Sequence, residues 1–194
     1  MATVHDKLIV ARPLEGGFTW TLASRLGQML RDVETLFGPR NPKFTILGIE
    51  FREGQPMIWF PGDCGHIVIQ LGTSAMMDHD RALFQLAHEC VHLLDPVKEA
   101  NTLEEGIATW YSLKYCKDLG IEYRLSGNKK YDAAFNLYSK LHALAPDAVK
   151  RLRGQGNRVS DISAKQLREI CPELDNDLAD QLEMPFSNWN PAIS

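Results

Sequence analysis

A chain of 194 residues is long enough for one ordinary domain with a substantial core and too short for two large ones. Its 44% hydrophobic and 24% charged residues are those of a soluble globular protein. Disordered tails, collagen-like chains and coiled-coil rods are thereby excluded, a formal net charge of −4 argues against a dedicated nucleic-acid binder, and no apolar run approaches the roughly 20 residues of a membrane-spanning helix.

The N-terminus carries only a brief apolar run, Leu8–Ala11, against the roughly 7–15 residues of a secretory signal, so the expected compartment is the cytoplasm. Residues 15–37 read as one amphipathic helix after a turn at Gly16-Gly17, because Leu22, Leu26, Met29, Leu30, Val33 and Leu36 recur at helical spacing. Gly38-Pro39 and Asn41-Pro42 end it. Phe44–Phe51 reads as a strand, Met57–Phe60 as the second arm of a hairpin, and His66–Leu71 as a strand whose Ile67, Ile69 and Leu71 share one face.

The remainder is helical. Asp80–Leu94 is apolar around most of its circumference, is capped by Asp78 or Asp80, and ends before Pro96. A second helix runs from Thr102 to Leu119 and closes on Gly120. Further helices are expected at Lys130–Ala145, Pro146–Arg153 and Ser163–Cys171, with a loop at Gly154–Asn157. Strands followed by helices predict an α+β domain spanning 1–194. Its parts are an N-terminal helix and strands over about 1–75, a central helix pair over about 78–119, and a helical part over about 120–194.

Inside the first central helix stands His88-Glu89-Cys90-Val91-His92, the pattern H-E-x-x-H. Histidines four apart lie one turn above the other on one helix face, where two imidazoles can bind one zinc ion at about 2.0–2.1 Å. Glu89, beside the first ligand, can reach a metal-bound water as a general base. A charged Glu and two His inside an otherwise apolar helix are costly to bury without partners, and a metal offsets that cost. Cys90 points away from the two histidines and reads as packing.

A hydrolytic zinc site needs a third protein ligand. Asp95 lies roughly 10 Å along the axis from His88, which suits a helix-terminal or ligand-orienting carboxylate, and the Asn101 side chain is a candidate imidazole-orienting acceptor or helix cap. Glu99 falls in a connection where nothing fixes its direction. Glu104 and Glu105 begin the next helix about 100° apart, so one of them faces the histidines squarely. Glu105 shares its face with Ala108, Thr109 and Ser112, small residues that let another helix come close. That favours Glu105.

H-E-x-x-H followed by Glu105-Gly106-Ile107-Ala108, an E-G-x-A motif, resembles the gluzincin branch of the zincin metallopeptidases, in a compact form. The resemblance covers about Asp80 to Leu119. It implies a zincin-like fold, with a small antiparallel or mixed sheet packed on the active-site helix. It also implies one Zn²⁺ held by His88, His92 and Glu105, and peptide-bond hydrolysis through a metal-bound water activated by Glu89. The substrate would be a peptide or protein bound along the strand 66–71. The alternative is a zinc-stabilised binding or regulatory module without turnover.

Gluzincins add a Tyr or His that stabilises the oxyanion. Spacing does not choose among Tyr111, Tyr115, Tyr123, Tyr131, Tyr138 and His142. Cys64 stands where an inhibitory thiolate can reach a zinc ion, although a free cysteine is usually inert. The stretch from Glu122 to Ile170 holds ten Lys or Arg against five Asp or Glu, and the segment from Cys171 onward holds five Asp or Glu and no Lys or Arg. These read as a solvated face neutralised by an acidic tail, and either is a candidate lid.

Overall fold

Thr21 is extended, and its side chain accepts from the Ser24 backbone while Ser24 caps back onto Thr21. Helix α1 therefore starts at Leu22 and runs to Phe37. The expected start at residue 15 is corrected by this cap. Gly17–Phe18 (β2) instead pairs antiparallel with Pro13–Leu14 (β1). The structure is a computed structural model; it describes residues 21–62, 65–123 and 128–191, and the backbone of 13–14 and 17–18.

Thr45–Arg52 (β3), Met57–Trp59 (β4) and His66–Gly72 (β5) form a mixed sheet in the order β3-β5-β4. The expected hairpin between the first two does not form. β5 lies between them, parallel to β3 with Ile46 opposite Ile67, and antiparallel to β4 with Ile58 opposite Ile69. Ile67, Ile69 and Leu71 are fully buried, so the most apolar strand takes the centre, where both of its edges are hydrogen-bonded.

Asp78 accepts from the Arg81 backbone and opens helix α2, His79–His92. Asn101 does the same for helix α3, Thr102–Asp118, accepting from the Glu104 backbone. Helices α4 (Lys129–Leu144), α5 (Ala148–Gly154), α6 (Ala164–Ile170) and α7 (Asn176–Glu183) follow. The first three of these match the expected helices to within two residues at each end. α7 was not expected, because it offers only Leu178, Ala179 and Leu182 to the core. The observed class is α+β, and no described helix is long and apolar enough to cross a membrane.

The core is one cluster that joins the buried stripe of α1, the inner face of β5, and α2, α3 and α4. α3 and α4 approach tightly at Gly106, where a Cβ would lie 2.5 Å from the Ala134 carbonyl oxygen and 2.9 Å from Tyr138 Cβ. Only glycine admits the neighbouring helix there. After α7 the chain turns back along the entry to α3, where Thr102 N donates to Met184 O and Phe186 N donates to Ala100 O. Cys90, Cys116 and Cys171 are free and buried; Cys64 lies outside the described residues.

Candidate metal centre

The one-turn spacing on α2 puts the His88 and His92 rings 5.2 Å apart, and α3 delivers Glu105 against both. His88 Nε2 lies 3.1 Å from Glu105 Oε2, and His92 Nε2 lies 3.8 Å from Glu105 Oε1. Donor atoms of the three residues fall within 4.8 Å of one another, a group that could hold a metal ion. Ligand atoms at about 2.0–2.1 Å from one tetrahedral ion stand about 3.3–3.4 Å apart, so the spacing fits a single small cation.

Glu104, one residue earlier, takes the other edge of the second imidazole. Its Oε1 lies 2.7 Å from His92 Nδ1, which assigns the proton to Nδ1 and leaves Nε2 facing Glu105. Its Oε2 is buried without a hydrogen-bond partner among the described residues.

Three carboxyls, Glu89, Glu104 and Glu105, are at most 9% exposed, and their ion pairs among the described residues are with histidines alone. Burial pushes Glu89 and Glu104 above the usual carboxylate range, with His92 the largest opposing influence on each. Burial also acts to raise Glu105, but His92, His88 and Lys130 together hold it below the usual range. Burial would lower the His92 imidazole; the surrounding carboxylates outweigh it and bring His92 up to about 10. An acidic cluster around two imidazoles is a fitting cradle for a divalent cation.

The cluster lies on the floor of a cleft with two lobes, of about 470 Å³ and 390 Å³. His88, Glu89, Tyr131 and Pro56 line both lobes, so the cluster sits where they meet. The larger lobe is walled by β4 and by Val97, Lys98 and Ala100. Glu89 makes no side-chain hydrogen bond among the described residues, and it lines both lobes at this junction.

No family model, curated protein or solved structure matches the chain.

His88, His92 and Glu105 are brought together as their spacing implied. Asp95 is not: it pairs with Arg153 at 2.7 Å, and Asn101 caps α3. The imidazole partner is Glu104, which the face argument had set aside. Two carboxylates 100° apart can both reach one imidazole, because its nitrogens lie on opposite edges. Glu99 turns outward to the Ser187 hydroxyl. Of the six candidate oxyanion donors, Tyr131 alone borders His88, Glu89 and Glu105. Tyr123 borders the far end of the smaller lobe. Tyr111, Tyr115 and Tyr138 are core residues, and His142 packs against Trp110.

β5, the strand expected to receive a peptide, is paired on both sides. Among the described residues the free edge beside the centre is β4, with Met57 and Trp59 exposed and Ile58 buried. The basic stretch is engaged within the chain, where Arg153 binds Asp95, Lys150 donates to Thr35 O and Arg158 pairs with Asp161. The acidic tail lies along Ala100–Thr102, next to the wall of the larger lobe.

Proposed function

We propose that the cleft holds one zinc ion and hydrolyses peptide bonds, in a zincin-like arrangement of gluzincin type. The observation that carries this reading is the convergence of His88, His92 and Glu105 donor atoms at the junction of two lobes, with the Glu89 carboxyl beside them. Zinc, when bound, supplies a Lewis acid that lowers the pKa of water towards about 7.

The chain's own groups do the rest. Glu89, raised by burial, takes a proton from the attacking water and returns it to the leaving amine. Burial and the charges of Glu105 and Glu89 push the Tyr131 hydroxyl up, so it stays protonated and donates to the carbonyl oxygen as charge develops there. The exposed edge of β4 pairs with the extended peptide, which moves the binding strand from 66–71 to 57–59.

The purified protein should carry about one zinc per chain by elemental analysis. Glu89→Gln should keep the metal and lose hydrolysis of proteome-derived peptides by about 100-fold or more. Tyr131→Phe should lower kcat about 100-fold with KM little changed. Undiminished cleavage by Glu89→Gln overturns the mechanism. Zinc bound without cleavage of any peptide selects the binding module instead.

A further inference from the structure

The smaller lobe differs from the larger in what it offers a ligand. Its floor follows one face of α2, from Arg81 past Phe84 and Gln85 to His88 and Glu89. The lobe's described lining carries one charged side chain besides Glu89, and that is Arg81. The guanidinium is held beside Asp78, with its Nε 3.5 Å from the carboxylate, and Tyr123, whose ring stacks on Phe84 with centroids 4.2 Å apart, lines the same lobe. Gln85 is occupied elsewhere, its Oε1 accepting from Gly72 N at 3.0 Å. What remains is a braced planar cation with further N–H groups, half-open to the cleft, and a guanidinium of this kind is matched to a carboxylate.

We infer that the Arg81 lobe is a carboxylate subsite, which selects peptides with a negative group about three residues from the scissile bond. The inference rests on the peptidase reading of the same cleft. The distance follows from the helix: Arg81 is seven residues before His88, roughly 10 Å along the axis, and an extended peptide advances about 3.3 Å per residue. Two sources supply such a carboxylate, an Asp or Glu side chain and a free C-terminus.

Matched synthetic peptides separate the sources. Each pair carries Glu or Gln at the third position on either side of the cleaved bond, with a free or amidated C-terminus beyond it. The wild-type protein should lose about tenfold in kcat/KM when the recognised carboxylate is neutralised, a fold-change typical of one charged hydrogen bond. Arg81→Gln should erase that difference and leave cleavage of the neutral peptide within about threefold. Lys98→Gln, at the other lobe, should leave it in place.

The Asp78 carboxylate accepts from the backbone N–H of Arg81, which the substitution retains, so Arg81→Gln keeps the helix start, which an unchanged melting temperature verifies. Equal cleavage of charged and neutral peptides by the wild type overturns the inference and leaves the peptidase standing. A preference that survives in Arg81→Gln does the same. If no peptide is cleaved at all, the peptidase reading falls first. Binding of the labelled acidic peptide to Glu89→Gln and to the Glu89→Gln, Arg81→Gln double variant then decides, and equal Kd values overturn the carboxylate subsite too.

Discussion

Arg153 on α5 and Glu104 on α3 are both buried charges, yet the clusters around them are built in opposite ways. Arg153 meets one carboxylate, Asp95, through Nε at 3.2 Å and Nη2 at 2.7 Å. Its remaining N–H groups donate to the carbonyls of Phe37, Gly38 and Pro39, where α1 ends. That cluster is neutral and satisfied, and its role is to fasten α5 to the end of α1. Around Glu104 three carboxyls share two imidazoles, and one carboxylate oxygen has no partner among the described residues. Even with both imidazoles protonated, three ionised carboxylates leave an excess of negative charge. Buried charge in balance is a structural device, whereas buried charge out of balance at a cleft is the kind of cluster that could hold a cation.

Substitutions should split the two clusters cleanly. The largest loss is expected from Arg153→Ala, which strands Asp95 and three carbonyls. It should cost about 3–5 kcal/mol in denaturant unfolding and leave zinc stoichiometry unchanged. Lost zinc with little lost stability would erase the distinction. Gly106→Ala comes next. The added Cβ meets backbone on α4, so about 1–3 kcal/mol of stability should go. Because Tyr131 lies one turn before Ala134 on α4, kcat should fall while zinc binding, proposed for residues of α2 and α3, should remain. Glu104→Gln keeps the shape and removes the carboxylate charge that faces His92 Nδ1; zinc affinity should weaken about 10-fold to 100-fold in a chelator competition. An unchanged affinity would make Glu104 a bystander.

Much of the centre was readable because its signals are local. His88 and His92 are fixed by helical periodicity alone, and the small residues sharing a face with Glu105 mark where α3 can approach another helix. What was missed depends on how distant segments meet. The strand order eluded a reading based on chain neighbours, although the fully apolar face of Ile67, Ile69 and Leu71 beside a short Met57–Trp59 was the available hint that β5 is central. Tyr131 has no distinguishing local pattern. It is placed by the close approach of α3 and α4 at Gly106, more than twenty residues earlier. Glu104 was set aside because a helix face was treated as having one target, when an imidazole has two edges. Asp95 is open in the sequence between a helix-terminal and an imidazole-orienting role, because its actual partner, Arg153, lies on a helix far along the chain.

The smallest effect tests the excess of charge most directly. Glu89 is buried, and its carboxyl sits above the ordinary 4.5, so in the metal-free protein its ionised form costs stability at neutral pH. Metal-free Glu89→Gln should therefore melt above metal-free wild type at pH 7. As pH falls through the raised native value, the wild-type carboxyl takes up a proton and the cost declines. Below about 4.5 both folded and unfolded carboxyls are protonated, and the gap should close. Zinc should narrow it at pH 7 as well, since a nearby cation favours the ionised carboxylate. A wild-type protein that melts higher than Glu89→Gln without metal would show that the three carboxyls are already compensated, and the contrast with the Arg153 cluster would fail.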